Sequence, residues 1–242
     1  MNFAERLGGS AKDDGKWEFD LSEDLNGGFG GTNGGNLAAI CVFAARGVAP
    51  ERTPVGLDPR FIRSFRPGRA YVVPTILNAG RTLSTISIDI FTEAGKLATR
   101  GTVALVEAEA LDDFDVETDQ GADETLMAYA DGKPWRHPSP KYRIPLIDTF
   151  EPRFLGKSNG AIATGVKVIW DDPAASVEAA CVAADISVGP PVASQLGARP
   201  LAIPNPDLSL RFTGQTSAAR EMVATSRLEH LAGGLATTSL AV

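Results

Sequence analysis

The sequence predicts an α+β fold made of two similar units, each with one buried helix and an antiparallel sheet. The two cysteines of the 242-residue chain occupy matching places in two apolar helical segments, residues 37–45 and 177–184. A break rich in glycine or proline follows each segment, and strand-like sequence comes next. Repetition of this kind indicates a duplicated unit. A sheet that curls around a helix is an economical way to bury a helix that is apolar on all sides.

In the first unit, residues 16–21 alternate as a half-buried strand, and a glycine-rich turn at 27–35 leads into a helix over 35–46. Alternation and turn residues then predict four strands, at 55–65, 70–79, 82–92 and 96–107.

An acidic stretch at 112–130 and a proline-rich segment at 135–152 are typical of a linker. We therefore divide the chain into an N-terminal unit (1–111), a linker (112–154) and a C-terminal unit (155–242). The second unit is predicted to contain a strand at 161–170 and then a helix. Asp172 is the N-cap of this helix, Pro173 is its first residue, and the helix ends near Ile186, before Gly189-Pro190-Pro191. Strands at 206–212, 221–230 and 235–242 follow.

The two units differ in their last strand. Nothing in the second unit corresponds to strand 96–107 of the first. Either the sequence is cut short, or the second sheet has one strand fewer than the first.

Composition excludes several classes of function. The net charge of −7 and the pI near 4.9 argue against a nucleic-acid partner. The first 16 residues lack the pattern of a signal peptide, and no segment could span a bilayer, so we expect a cytoplasmic protein without a membrane partner. The two cysteines are expected to be buried apolar residues, and no cluster of His, Asp or Glu has the spacing of a metal site.

Two motifs carry a resemblance to a known family. Phe29-Gly30-Gly31-Thr32-Asn33-Gly34-Gly35, the helix after it, and Phe61-Ile62-Arg63-Ser64-Phe65-Arg66-Pro67-Gly68 resemble acyl-CoA thioesterase II-like proteins of the double-hotdog fold. The likeness covers most of residues 16–108 and 161–242. It implies two antiparallel sheets, each wrapped around a central helix, and hydrolysis of an acyl-CoA to a fatty acid and free CoA without a cofactor or metal. Paired hotdogs commonly associate further, so we expect a homo-oligomer.

The resemblance also implies a catalytic group. Its aspartate matches Asp185, at the end of the second helix, and its hydroxyl position falls on Asn205. The glutamine of the family's catalytic group would lie on a strand beyond Val242, which this sequence does not contain. Thioester hydrolysis by this chain is therefore in question. Asp185 flanks the apolar stripe of its helix and meets the negative end of the helix dipole, which predicts a raised pKa and a role in holding or deprotonating a water. The alternative is an aspartate that points into solvent.

Substrate binding is predicted at the glycine-rich turn. Backbone N–H groups near Gly30, Gly31 and Thr32 could polarise the thioester carbonyl, although the turn could equally bind nothing. Arg81, with Arg63 and Arg66 as alternatives, is a candidate for contact with CoA phosphates because of its charge.

Two other functions stay open at this stage. The first is a non-catalytic protein that binds acyl-CoA or an acyl chain. The second is a serine hydrolase, since Gly156-Lys157-Ser158-Asn159-Gly160 fits G-x-S-x-G, and Asp185 and His230 follow in the hydrolase order. The second is disfavoured because a strand, and not a helix, is predicted after Ser158.

Overall fold

The fold is described from a computed structural model for residues 1–107, 109, 126–136, 143–197, 203–213 and 220–242. Most of the predicted acidic linker, part of the proline-rich segment and His137 lie outside these residues. The helices are α1 (Phe3–Arg6), α2 (Gly34–Val48), α3 (Pro145–Phe150), α4 (Ser176–Ser187) and α5 (Gly189–Leu196).

The strands of the first unit are β1 (Ser10–Ala11), β2 (Trp17–Leu21), β3 (Arg52–Phe61), β4 (Gly68–Ala79), β5 (Leu83–Thr92) and β6 (Leu97–Glu107). The later strands are β7 (Lys133–Pro134), β8 (Arg153–Ser158), β9 (Ala161–Lys167), β10 (Leu210–Arg211), β11 (Glu221–Ala232) and β12 (Leu235–Ala241).

Two antiparallel sheets confirm the predicted α+β double hotdog. The first has the order β1-β2-β4-β5-β6-β3-β10, and the second has the order β12-β11-β9-β8-β7. Strand β10 comes from the second half of the chain but pairs with β3, Leu210 opposite Leu57, so it ties the two halves together. The second sheet takes β7 from residues that the sequence assigns to the linker.

The two central helices are buried as expected and pack against each other. Helix α2 buries apolar residues on every side, among them Ile40, Cys41 and Val42, and Cys181 is buried on α4. Both cysteines are free. Aromatic side chains join helix α2 to strand β2, where Phe43 packs edge-on against Trp17 with ring centroids 4.8 Å apart.

The second central helix ends close to its predicted end, but the chain continues as another helix and not as an irregular segment. Helix α4 ends at Ser187, and α5 begins at Gly189, so Pro190 and Pro191 stand in the first turn of a new helix. Proline is tolerated in the first turn because its missing N–H would have no helical partner. The break predicted from these prolines is therefore a junction between two helices.

The second sheet ends at β12, which pairs only with β11 among the described strands. In the first sheet the corresponding strand, β5, lies between β4 and β6 and buries Ile86, Ile88 and Ile90. Strand β12 buries no residue completely. Among the described residues, the second sheet therefore has no counterpart of β6.

Candidate functional site

The candidate site lies where the end of α4 meets the beginning of α2. Asp185 stands in the last turn of α4, and its carboxylate is buried against Asn33, which precedes α2. The Nδ2 atom of Asn33 donates to Oδ2 of Asp185 at 2.5 Å. The Nδ2 atom of Asn205 donates to Oδ1 at 2.8 Å. The two predicted catalytic residues thus meet, and the first unit adds a third residue.

Backbone amides complete the surroundings of the carboxylate. The N–H groups of Gly34 and Gly35, in the first turn of α2, also face Asp185 and lower its pKa. A helix start presents unpaired N–H groups and a partial positive charge, so it stabilises a carboxylate. The positive end of α2 offsets the unfavourable position of Asp185 at the negative end of α4.

Glycine is required at both positions because the two helices approach closely. A Cβ atom on Gly34 would lie 3.2 Å from Oδ1 of Asp185. A Cβ atom on Gly35 would lie 2.7 Å from Cα of Val182 and 2.8 Å from the carbonyl oxygen of Cys181. A larger residue would push the start of α2 away from α4, and with it the donors that bind Asp185.

Burial raises the pKa of Asp185 above its ordinary value. The hydrogen bonds from Asn205 and Asn33 and the nearby N–H groups of Gly34 and Gly35 favour the ionised form and oppose this shift. The sequence predicts the direction of the pKa shift correctly, but burial is its main cause. A carboxylate with a raised pKa is a stronger base than an exposed one, which suits it to accept a proton.

Asn205 reaches Asp185 because the segment before β10 is fixed to the first unit. The N–H of Phe61 donates to the carbonyl oxygen of Pro206 at 2.9 Å, and Arg60 forms an ion pair with Asp207. Leu208 N–H donates to the carbonyl oxygen of Pro59. Both asparagines that contact Asp185 therefore depend on elements of the first unit.

The predicted substrate-binding turn is largely bonded to its own surroundings. The N–H of Thr32 donates to the carbonyl oxygen of Phe65 at 2.8 Å. Gly31 packs against Ser64 and Phe65, where a Cβ atom would clash. Gly30 adopts a positive φ of 66°, which favours glycine. The amides that point at the site are those of Gly34 and Gly35, further along the chain.

The three candidate arginines occupy different places. Arg66 lies beside the turn, with Nη1 donating to the carbonyl oxygen of Gly30 at 3.4 Å, and it forms no ion pair with a carboxylate of the described chain. Arg81 is exposed in the turn between β4 and β5, where its carbonyl oxygen accepts from Arg52. Arg63 donates to the carbonyl oxygen of Leu97. Of the three, Arg66 is bonded to the glycine-rich turn.

Asn33 is the residue that sequence reasoning missed. The sequence predicts only a glycine-rich turn at this position, although an asparagine directly before a helix is a common cap. Here its side chain makes no cap hydrogen bond and bonds to Asp185 instead.

The structure does not assemble the serine hydrolase triad. Ser158 ends β8, and a two-residue turn leads directly into strand β9, whereas a nucleophile elbow needs a helix after the turn. The side chain of Asp185 bonds to asparagines, and His230 is an exposed residue near the end of β11.

Residues 22–106 match the family model of the acyl-CoA thioesterase N-terminal domain. The first unit of the chain thus resembles an acyl-CoA thioesterase domain in sequence. The matched residues include the turn at 27–35, helix α2 and most of the first sheet. No curated protein matches the chain in sequence.

Solved structures show the same fold along nearly the whole chain. A hotdog-fold protein of unknown function from Alicyclobacillus acidocaldarius has a TM-score of 0.77 at 16% identity, over 99% of this chain and 91% of that one. A TesB protein from Mycobacterium avium subspecies paratuberculosis has a TM-score of 0.72 at 16% identity, over 97% and 88%. The acyl-CoA thioesterase II TesB2 of Mycobacterium marinum has a TM-score of 0.69 at 16% identity, over 97% and 87%.

Two further properties concern the described part of the chain. None of its helices is long and apolar enough to cross a membrane. It also contains no group of three or more His, Cys, Asp or Glu side chains that could hold a metal ion.

Proposed function

We propose that the protein hydrolyses acyl-CoA thioesters to a fatty acid and free CoA, with Asp185 as general base. The observation that carries this proposal is the buried Asp185 carboxylate, held by donors from both halves of the molecule. Its hydrogen bonds to Asn33 and Asn205 fix its position, and its raised pKa favours proton acceptance.

In the proposed reaction, a water beside Asp185 gives one proton to the carboxylate as its oxygen attacks the thioester carbonyl carbon. The new C–O bond converts the carbonyl into a tetrahedral oxyanion. The oxyanion then re-forms the C=O bond, and the C–S bond breaks. The leaving sulfur takes the proton from Asp185, so the carboxylate is regenerated and the products are a carboxylic acid and CoA.

The oxyanion needs hydrogen-bond donors, and the side-chain amides of Asn33 and Asn205 can supply them. An amide nitrogen of this kind carries two hydrogens, and each asparagine uses one of them on Asp185. The backbone amides of Gly34 and Gly35 face the carboxylate itself. We therefore assign carbonyl polarisation to the two asparagines in place of the predicted amides near Gly31.

Arg66 is our candidate for the phosphates of CoA. It is exposed beside the glycine-rich turn, and its planar guanidinium can donate to two phosphate oxygens at once. The predicted homo-oligomer and cytoplasmic location stay predictions.

One observation favours the alternative, a protein that binds acyl-CoA without turnover. Asp185 accepts hydrogen bonds from two asparagines and is faced by two backbone N–H groups, and a carboxylate offers about four lone-pair sites. A water can approach only if it displaces one donor. If the donors stay in place, Asp185 holds the two helices together and does not act as a base.

Release of free CoA from short-, medium- and long-chain acyl-CoAs distinguishes the two functions. We expect turnover by the wild type and a loss of at least about 100-fold in kcat for Asp185→Asn, which keeps the shape but cannot accept the proton. Asp89→Asn is the matched control, because Asp89 pairs with Arg100 on the first sheet. Stabilisation of the protein by acyl-CoA without any CoA release would establish the binding function instead.

A further inference from the structure

A cavity of about 420 Å³ lies beneath α5, between that helix, the β8–β9 turn and the end of β11. Its volume is within the range of small-molecule sites. The apolar part of its wall comes from Ile162, Leu228 and Pro191. Ser194 and Gln195 of α5 add polar groups. We call it the α5 cavity.

Lys157 places an ammonium group in the wall of this cavity, which also contains His230. It lies at the end of β8, and its ammonium donates to the Ser194 hydroxyl at 3.2 Å, which spans the distance from the strand to α5. An ammonium has three donors, so two remain for a ligand. Lys157 forms no ion pair with any carboxylate of the described chain, and the acidic residue of the wall, Glu229, is bonded to Ser239 on β12.

The α5 cavity is close to Asp185 along the chain. Helix α5 begins four residues after Asp185, and Val188 between the two helices keeps helical dihedral angles. At about 1.5 Å per residue, Pro191 in the cavity wall lies about 9 Å from Asp185 along the helical path, and Ser194, which accepts from Lys157, lies about 14 Å from it. An acyl group whose thioester lies at Asp185 could therefore extend to this cavity.

We propose that the α5 cavity receives the far end of the acyl group and that Lys157 selects acyl groups with a terminal carboxylate. This inference rests on the proposed function. Apolar side chains contact the methylene carbons, whereas Lys157, Ser194 and Gln195 hydrogen-bond the carboxylate. A simple fatty acyl group of equal length leaves these exposed polar groups bonded to each other and to water, gains no hydrogen bond from them, and therefore binds less tightly.

The test compares decanedioyl-CoA with decanoyl-CoA, which have ten-carbon acyl groups with and without a terminal carboxylate, because a six-carbon group is too short to reach from Asp185 to Lys157. We expect Lys157→Met to lower kcat/KM for decanedioyl-CoA about tenfold and to leave that for decanoyl-CoA within about twofold. Lys157→Arg should keep the preference. Lys167→Met is the matched control, because Lys167 pairs with Glu151 outside the cavity. A purely structural role of Lys157 would lower both rates equally, which would overturn the proposal.

A second measurement keeps the inference separate from the proposed function. Titration calorimetry with decanedioate and decanoate measures binding without turnover. Decanedioate binding that is lost in Lys157→Met supports the α5 cavity even if no acyl-CoA is hydrolysed, an outcome that would overturn only the proposed hydrolysis. Equal affinity of wild type and Lys157→Met for decanedioate, together with an unchanged ratio of the two turnover rates, overturns the inference while hydrolysis stands.

Discussion

Asn33 donates a hydrogen bond from Nδ2 to Oδ2 of Asp185, 2.5 Å away, across 152 positions of sequence. This bond joins the start of one central helix to the end of the other. The candidate site is therefore a product of the duplication, because neither unit contains it alone. A change in how α2 and α4 pack should alter the site even where no site residue is replaced.

Asn205 should set the pH dependence of the proposed reaction. Its hydrogen bond lowers the pKa of Asp185, so Asn205→Leu should raise that pKa and move the acid limb of kcat/KM to higher pH. Because a polarising donor is also lost, kcat should fall by about 10- to 100-fold. Rates measured from pH 5 to 9 check both effects. An acid limb at the same pH in the variant would show that Asn205 does not act on Asp185.

Replacement of Gly35 should test the close helix contact. Its new Cβ atom in Gly35→Ala would meet backbone atoms of Val182 and Cys181, which cannot rotate away, so we expect a loss of about 1–3 kcal/mol in the free energy of unfolding. Gly27→Ala is the control, because a Cβ atom there would come only within 4.0 Å of Asn33. Urea unfolding of both variants measures the difference. Equal stabilities would mean that α2 and α4 can separate at little cost.

The buried Glu178 should make the free energy of unfolding depend on pH. It is fully buried on α4 and accepts from Arg46 of α2 at 3.0 Å. Burial raises its pKa from 4.5 to about 7, although Arg46 opposes the shift. Since the folded-state pKa is the higher one, the unfolded chain loses its proton first as the pH rises. The resulting stability is complete below about pH 4.5 and is lost as the pH rises through about 7.

Glu178→Gln should remove this dependence, which amounts to about 3 kcal/mol between these pH values. Chemical unfolding at pH 5 and pH 8 measures it: we expect the variant to be more stable than the wild type at pH 8 and to lose less stability between the two pH values. Glu151→Gln is the control, because Glu151 forms a half-exposed ion pair with Lys167, which contributes little. The same slope in wild type and Glu178→Gln would rule out Glu178 as its source.

Much of the fold could be predicted because each central helix has a distinctive sequence and the strands of the first unit alternate clearly. Helix α2 and strands β4, β5 and β6 lie within a few residues of their predicted bounds. Strand β8 was missed because Arg153–Ser158 contains two basic residues and a glycine and lacks strict alternation. Helix α5 was missed because Gly189-Pro190-Pro191 indicates a break, and local sequence does not show that a helix follows it.

The site was predicted in part. The resemblance pointed to Asp185 and Asn205, and the structure places them within one hydrogen bond of each other. The partnership of Asp185 with Asn33 could not be predicted because it depends on the packing of two helices that are far apart in sequence. The amides near Gly31 are predicted to polarise the thioester carbonyl because they precede the helix. In the structure, however, the N–H of Thr32 donates to the carbonyl oxygen of Phe65.

Strand β12 should be less protected than β5. It has a strand partner on one side only among the described strands, so the outward-facing half of its amides lack a ladder hydrogen bond. We expect amide hydrogen exchange in β12 to be at least about tenfold faster than in β5, which has partners on both sides. Protection of β12 equal to that of β5 would show that its second edge is covered.

The pH dependence of acyl-CoA hydrolysis by wild type and Asp185→Asn tests the central claim most directly. If Asp185 is the base, wild-type kcat/KM falls with decreasing pH through a midpoint above the ordinary aspartate range, because burial raises the pKa of Asp185. The Asp185→Asn variant should then be at least about 100-fold slower and should lack this limb. A variant with the wild-type rate and the same acid limb would contradict the account.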